Sequence, residues 1–284
     1  MRVFLAGATG VIGRRVAESL LRQGHQVTGL TRNDSGVAAL SSLGADVAVA
    51  DVFDRDALAA AVEAAAPDVV VHQLTDLRGG DRSANSRIRQ AGTRSLVDAA
   101  RSAGVRRIVA QSIAFAYEPG GTPATEDVPL DVGSTGERHD SVTGVAVLES
   151  AVQELPEWVV LRYGMLYGPG TWYAPGGLMA RAAIAGELPA TADVTSFLHV
   201  DDAASAAVAA LDWSSPGAVN ICDDEPAPGH SWLPAFCERV GAPRPSTVDA
   251  PRTPWARGAD NSRAREELGW EPKWPTWREG FAAL

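Results

Sequence analysis

The chain of 284 residues contains a single lysine, Lys273, and two cysteines, Cys222 and Cys237. Two thiols cannot build a disulfide framework, so they are expected reduced and buried. Arginine supplies nearly all the positive charge, and the formal net charge is -10. An acidic chain is poorly suited to nucleic acid or to an anionic membrane surface, and neither is expected as a partner. No apolar run reaches the length of a membrane span. The opening Met1-Arg2-Val3-Phe4-Leu5-Ala6-Gly7 fits a strand and loop better than a signal peptide, so a cytoplasmic location is expected. No internal repeat is visible. The lone lysine has a further consequence. Position 269, four residues before it, is glycine, so the chain holds no Tyr-x-x-x-Lys.

Hydrophobic residues make up 45%, enough for a sizeable core, and the length suits one large α/β domain or one with a small appendage. Short apolar runs at 3–6, 26–30, 46–50, 68–73, 106–111 and 158–162 read as buried strands. Segments 11–22, 36–43, 56–65, 84–103 and 141–154 carry apolar residues at helical spacing. Strand and helix alternate, which predicts a Rossmann-type α/β fold with a doubly wound parallel sheet. After Gly164 prolines cluster, and seven of the eight tryptophans lie beyond residue 171. This predicts a dinucleotide-binding domain over 1–163, with return segments about 194–221. A small, partly discontinuous substrate-binding domain is expected over 164–284.

Gly7-Ala8-Thr9-Gly10-Val11-Ile12-Gly13 follows a strand and opens a helix. Its glycines permit a tight turn, close approach of backbone to a pyrophosphate, and close helix–strand packing. The free N–H groups and dipole of the helix start then face the phosphates. The second strand ends Leu30-Thr31-Arg32-Asn33, where an NAD site usually has an acid. Arg32, with Arg14, suits the 2′-phosphate of NADPH/NADP+ through paired charge-assisted bonds. The plainer alternative is two solvated arginines, with Asp34 turned inward.

These motifs, with Leu161 to Gly170, Phe197 to Asp202 and Leu268 to Pro272, resemble the extended short-chain dehydrogenase/reductases, the NAD-dependent epimerase/dehydratase superfamily. The resemblance covers nearly the whole chain. It implies a dinucleotide held by Gly7, Thr9, Gly10, Val11, Ile12, Gly13, Arg14, Arg32, Asp51, Val52, Leu74, Thr75, Ser112, Tyr163, Gly164 and Met165. It also implies a catalytic Tyr and Lys one helical turn apart, helped by a Ser or Thr after the fifth strand. Tyrosine gives a proton to the developing alkoxide, and lysine lowers the tyrosine's pKa. Here, with Glu149 and Tyr117 as anchors of register, those three positions fall on Ser141, Val145 and Ile113. None can do the family's chemistry.

Ser95, Ser112 and Thr75 become the candidate donors, each equally readable as a satisfied core hydroxyl. Ser141 reads as a solvated helix N-terminal residue or as a holder of water. His139 reads as a loop histidine and His199 as structural. Trp172 and Tyr173, after the nicotinamide-side loop, are expected with Ser141 to bind substrate, against the alternative that tryptophans there are core. No metal is expected.

Two functions fit the missing pair. One is an NADPH-dependent ketoreductase for a polycyclic aromatic, angucyclinone-like polyketide ketone, whose own phenol replaces the tyrosine. Atypical relatives in antibiotic pathways imply this. The other is a non-catalytic NADP-binding regulatory or redox-sensing protein. Nucleotide-sugar epimerisation is disfavoured, because it begins with alcohol oxidation by the same tyrosine.

Overall fold

The computed structural model describes residues 1–75 and 82–284. The chain divides into two compact units. The first comprises Met1–Ser112, Val132–Leu161 and Ala204–Ala218, and the second Ile113–Asp131, Arg162–Ala203 and Val219–Leu284.

The strands are β1 Arg2–Ala6, β2 Gln26–Thr31, β3 Asp46–Val49, β4 Val69–His72, β5 Arg107–Ile113, β6 Glu157–Tyr163, β7 Met165–Tyr167, β8 Val194–Thr195, β9 Phe197–His199, β10 Gly217–Ile221 and β11 Ala227–Pro228. Seven form one sheet in the order β10-β6-β5-β4-β1-β2-β3, and β3 to β5 pair in parallel. β1 and β4 are buried on both faces, as central strands of a helix-covered parallel sheet must be. This is the doubly wound sheet expected from the alternating pattern.

The helices follow from local chemistry. α1 Val11–Arg22 buries Ile12, Val16, Ala17 and Leu20, one face at 3.6-residue spacing. α2 Asp34–Leu43 begins where the Asn33 side chain accepts from Gly36 N at 2.9 Å, and it ends at Gly44 with φ 83°. α3 Arg55–Ala65 is capped by Asp54 in the same manner. α4 Arg82–Arg87 runs through a π-helical turn, Ile88–Gly92, into α5 Thr93–Ser102. α6 Glu137–Val152 starts earlier than the expected residue 141, because Gly136 turns the chain into it at φ 65°. Ser141 therefore lies one turn inside the helix and is not its N-terminal residue.

Next to the π turn, the fully buried His72 links β4 to α5. Leu74 N–H donates to Nδ1 at 3.2 Å, which leaves the ring proton on Nε2 for Thr93 Oγ1 at 2.8 Å. The Thr93 hydroxyl reaches the Ile88 carbonyl at 3.4 Å. Burial, and then the charge of Arg89, lowers His72 to about 4. The ring is neutral, as this bonding requires.

Three short helices of the second unit are α7 Leu178–Ile184, α8 Val200–Ala209, which continues into the first unit, and α9 Gly229–Arg239. Two more, α10 Ser262–Glu266 and α11 Trp277–Ala282, close the chain. An aromatic cluster of Tyr167, Tyr173, Phe197, Trp232, Phe236, Trp277 and Phe281 forms the core here. Its rings meet mostly edge to face at 5.1–6.1 Å. Asp202 accepts from Lys273 N at 2.9 Å and Trp274 N at 3.0 Å, which ties the end of the Phe197–Asp202 motif to the residues directly after Leu268–Pro272.

Asp223, buried beyond β10, has its carboxyl pushed up to about 8 by desolvation, against the pull of the Glu225 and Trp277 amides. Unfolded, it titrates near 3.8. Between those values the folded protein keeps a proton that the unfolded chain releases, so stability falls as pH rises through that window. Asp223→Asn should abolish this slope. Its melting temperature relative to the parent should climb by several degrees from about pH 5 to about pH 8.5. A difference independent of pH would sink the assignment.

Candidate active site

The turn between β1 and α1 is set by backbone crowding. Gly7 has φ 89°, and a Cβ there would stand 2.5 Å from the Gln73 carbonyl. A Cβ on Gly13 would stand 2.1 Å from Gly7 O, while Gly10 N–H bonds that oxygen at 2.9 Å. Gly10 caps α1 without any side-chain bond, which leaves the first-turn N–H groups of Val11 and Ile12 for a ligand. A hollow that a Cβ would fill, facing an uncapped helix start, fits a pyrophosphate.

Around it stand the C-terminal ends of β2, β3 and β4, the ligand edge of such sheets. Thr9 is exposed, with its methyl group close to Gly36. Asp51 Oδ1 accepts from Phe53 N at 2.9 Å, and Val52 is buried against Gly92. Leu74 is half-buried, its carbonyl accepting from Gln111 Nε2 at 3.1 Å, and Thr75 is exposed. Arg32 is exposed and makes no ion pair among the described residues. Arg14 is already paired with Glu18 at 3.1 Å. Of the two arginines expected at a 2′-phosphate, Arg32 is the one at liberty.

Of the three hydroxyls named as stand-in donors, those of Ser112 and Ser95 are engaged elsewhere, and Thr75 is exposed. Ser112 Oγ donates to the buried Glu149 of α6 at 2.7 Å, and Ser95 Oγ donates to Ala91 O at 3.0 Å. Both act as satisfied core groups. Ser141 is half-buried, Val145 fully buried and Ile113 half-buried at the end of β5. His139 is exposed and donates from Nδ1 to Ser134 O at 2.9 Å. His199 packs against Tyr167 at 5.1 Å and accepts from Asp201 N, a structural role. No group of three or more possible metal ligands occurs among the described residues.

In the second unit, Tyr163 is buried with its hydroxyl on Ala203 O at 3.2 Å. Gly164 has no room for a side chain, since a Cβ would stand 2.7 Å from Ser196 O. Gly164 and Met165 line a cleft of about 320 Å³, within the range of small-molecule sites. Its aromatic walls are Phe115, Tyr117, Trp232 and Trp255. Trp172 and Tyr173, expected to be walls, do not line it. Tyr173 is buried among Phe197, Trp232 and Phe236, at 5.2–5.9 Å, and Trp172 packs on the same core. The sequence signal was the local excess of tryptophan, which marks core and cleft alike.

Fold and cradle together define a Rossmann dinucleotide-binding protein. The profile of the NAD dependent epimerase/dehydratase family matches residues 3–222, and the chain belongs to that family. It is similar to the 3-diazoavenalumate denitrifying reductase of a Streptomyces species, 47% identical, with 99% of each chain covered. Among solved structures it resembles the Bordetella bronchiseptica enzyme WbmG in complex with NAD and UDP. That match has a TM-score of 0.79 and 24% identity, covering 99% of this chain and 92% of the other. It also resembles the UDP-glucose 4-epimerase of Thermus thermophilus in complex with NAD, with a TM-score of 0.72 and 25% identity, covering 99% and 96%.

Gly13→Ala should weaken binding of NADPH and NADH alike by at least about tenfold, or 1.4 kcal/mol. The obstacle is backbone, 2.1 Å away, and cannot swing aside. Cofactor titration by fluorescence tests this, and unchanged affinity would mean that the turn is not the cradle.

Proposed function

We propose that this protein is an NADPH-dependent reductase for an aromatic substrate that needs no acid from the protein, with a diazo compound as the preferred class. The observation that supports this is a glycine cradle in a chain without any Tyr-x-x-x-Lys; by the family resemblance the tyrosine and lysine positions fall on Ser141 and Val145. Gly7 to Gly13 would hold the pyrophosphate, and Arg32 the 2′-phosphate. Bound there, the cofactor supplies a hydride.

Most carbonyl reductions need a proton donor, because an alkoxide develops on oxygen. Replacing a diazonium group by hydride does not. The carbon–nitrogen bond breaks, its electron pair leaves with dinitrogen, and carbon keeps the hydride. The Streptomyces relative, whose name specifies a diazo compound, denitrification and reduction, supports this class. The second-unit cleft, walled by four aromatic side chains, suits a flat ring. The chain's own part is to orient ring and cofactor, a contribution that reaches roughly 7–11 kcal/mol at best.

The second reading is a ketoreductase for a polycyclic, angucyclinone-like aromatic ketone with an adjacent phenol. The same vacated positions favour it, because that phenol would neutralise the alkoxide internally.

One assay separates these readings. The protein is given NADPH deuterated at the transferable position, with an ortho-hydroxyarenediazonium salt, a hydroxy-ketone, or the O-methyl ether of that ketone. The expected result is dinitrogen release matching NADPH consumption, with deuterium on the carbon that carried nitrogen. Reduction of the hydroxy-ketone alone, lost on methylation, selects the second reading. Cofactor binding without turnover of any substrate rejects both and leaves an NADP-binding sensor.

For the cofactor, a preference for NADPH over NADH of about 10- to 100-fold is expected, from one or two charge-assisted bonds. Arg32→Ala should erase it. Equal affinities in the parent would remove Arg32 from the 2′-phosphate.

A further inference from the structure

The cleft of the second unit has a one-sided hydrogen-bond balance. The acceptor-bearing side chains on its lining are engaged by the protein. Asp193 Oδ1 accepts from Thr253 N at 2.7 Å, and Thr191 Oγ1 accepts from Asp193 N at 3.3 Å. Ser196 Oγ accepts from Ala259 N at 2.9 Å and donates to Ala259 O at 3.2 Å. Donors on the same lining are left over. Trp232 is 8% exposed, and its buried indole N–H has no acceptor among the described residues. The Thr195 hydroxyl, on β8, makes no hydrogen bond among the described residues.

Charge points the same way. Arg257, half-buried on this lining, is fixed by neutral partners alone. Nε donates to Thr122 O, Nη1 to Glu118 O at 3.2 Å and Nη2 to Thr122 Oγ1 at 3.3 Å. Such dipoles hold a guanidinium in place and leave its charge whole, and three bonds leave two of its five N–H groups over. Arg263, Arg265 and Arg278 of the same unit each pair with an acid. Arg257 pairs with none among the described residues, and Asp193, the one acid on the lining, makes no ion pair with it. A group that carries acceptors, no donor and one negative charge complements this lining, and an ionised carboxylate is that group. A single cation balances a carboxylate better than the near-double charge of a phosphate monoester.

We propose that this cleft takes an aromatic carboxylic acid, with its ring against the aromatic walls and its carboxylate on Arg257. Arg257 is then a specificity-determining residue. This rests on the reading of the cleft as the place of the aromatic substrate, and it narrows the substrate class to rings that bear a carboxylate. The carboxylate takes no part in the hydride step and serves to orient the ring.

The test uses the full chain without cofactor, with cinnamate and cinnamamide as probes and calorimetry as the readout. The two probes share one shape and differ in charge. The parent should bind cinnamate about 10- to 100-fold more tightly, as one charge-assisted contact allows, and added salt should narrow the gap. Arg257→Gln should bring cinnamate to the affinity of cinnamamide with little effect on cinnamamide, and Arg257→Lys should keep part of the preference. An arginine that merely holds the loop at 118–122 would instead weaken both probes together when replaced. Equal affinities in the parent, no binding of either probe, or a preference that survives Arg257→Gln would each overturn the proposal. Should Arg257→Gln not fold, the parent's preference and its partial retention in Arg257→Lys decide the matter. Nothing is turned over, so failure of the reductase assays leaves the proposal standing, and its own failure leaves those assays untouched.

Discussion

The backbone of Gly7 passes so close to Gln73 and Leu74 that no side chain fits between β1 and the end of β4. The start of α1 closes on Gly7 from the other side through Gly13. Three elements thus converge on one turn by contact of main chain with main chain. The consequence is chemical as well as steric. With no Cβ in the hollow and no side chain on the helix cap, the polar groups at the start of α1 are left for phosphate. Gln73 and Leu74, directly after β4, pack against the same turn, and the His72 ring accepts from the Leu74 N–H.

Electrostatics distinguish this site from what its family resemblance implies. A Tyr/Lys pair would place one acid and one cation on α6. In this chain α6 carries Ser141 and Val145, and Glu149 is engaged with Ser112.

Much of the fold was legible in the chain. The expected strands agree with those observed to within a residue or two, because central parallel strands are continuous apolar runs and their ends are marked by Gly, Asn and Asp. The glycine turn was legible for a similar reason, since a sharp turn under steric crowding admits one residue type. The start of α6 was not. Gly136 sets it through a positive φ, and the segment before it carries no apolar periodicity. Trp172 and Tyr173 were expected as cleft walls because they follow the nicotinamide-side loop in a tryptophan-rich stretch. An aromatic ring gives the same sequence signal whether it faces a ligand or the core.

The sequence by itself determined the class of sheet, the glycine turn, the family resemblance and the absence of a Tyr-x-x-x-Lys. Each depends on residue type at fixed local spacing, and spacing along the chain is preserved in the fold. Tertiary structure decided which polar groups remain available. Ser95 and Ser112 are bound within the core, Arg14 is held by Glu18, and Arg32 is left without a partner among the described residues. A hydrogen bond or an ion pair depends on what distant segments bring within about 3–4 Å. Ser112 and Glu149 are 37 positions apart, and only folding brings them to 2.7 Å.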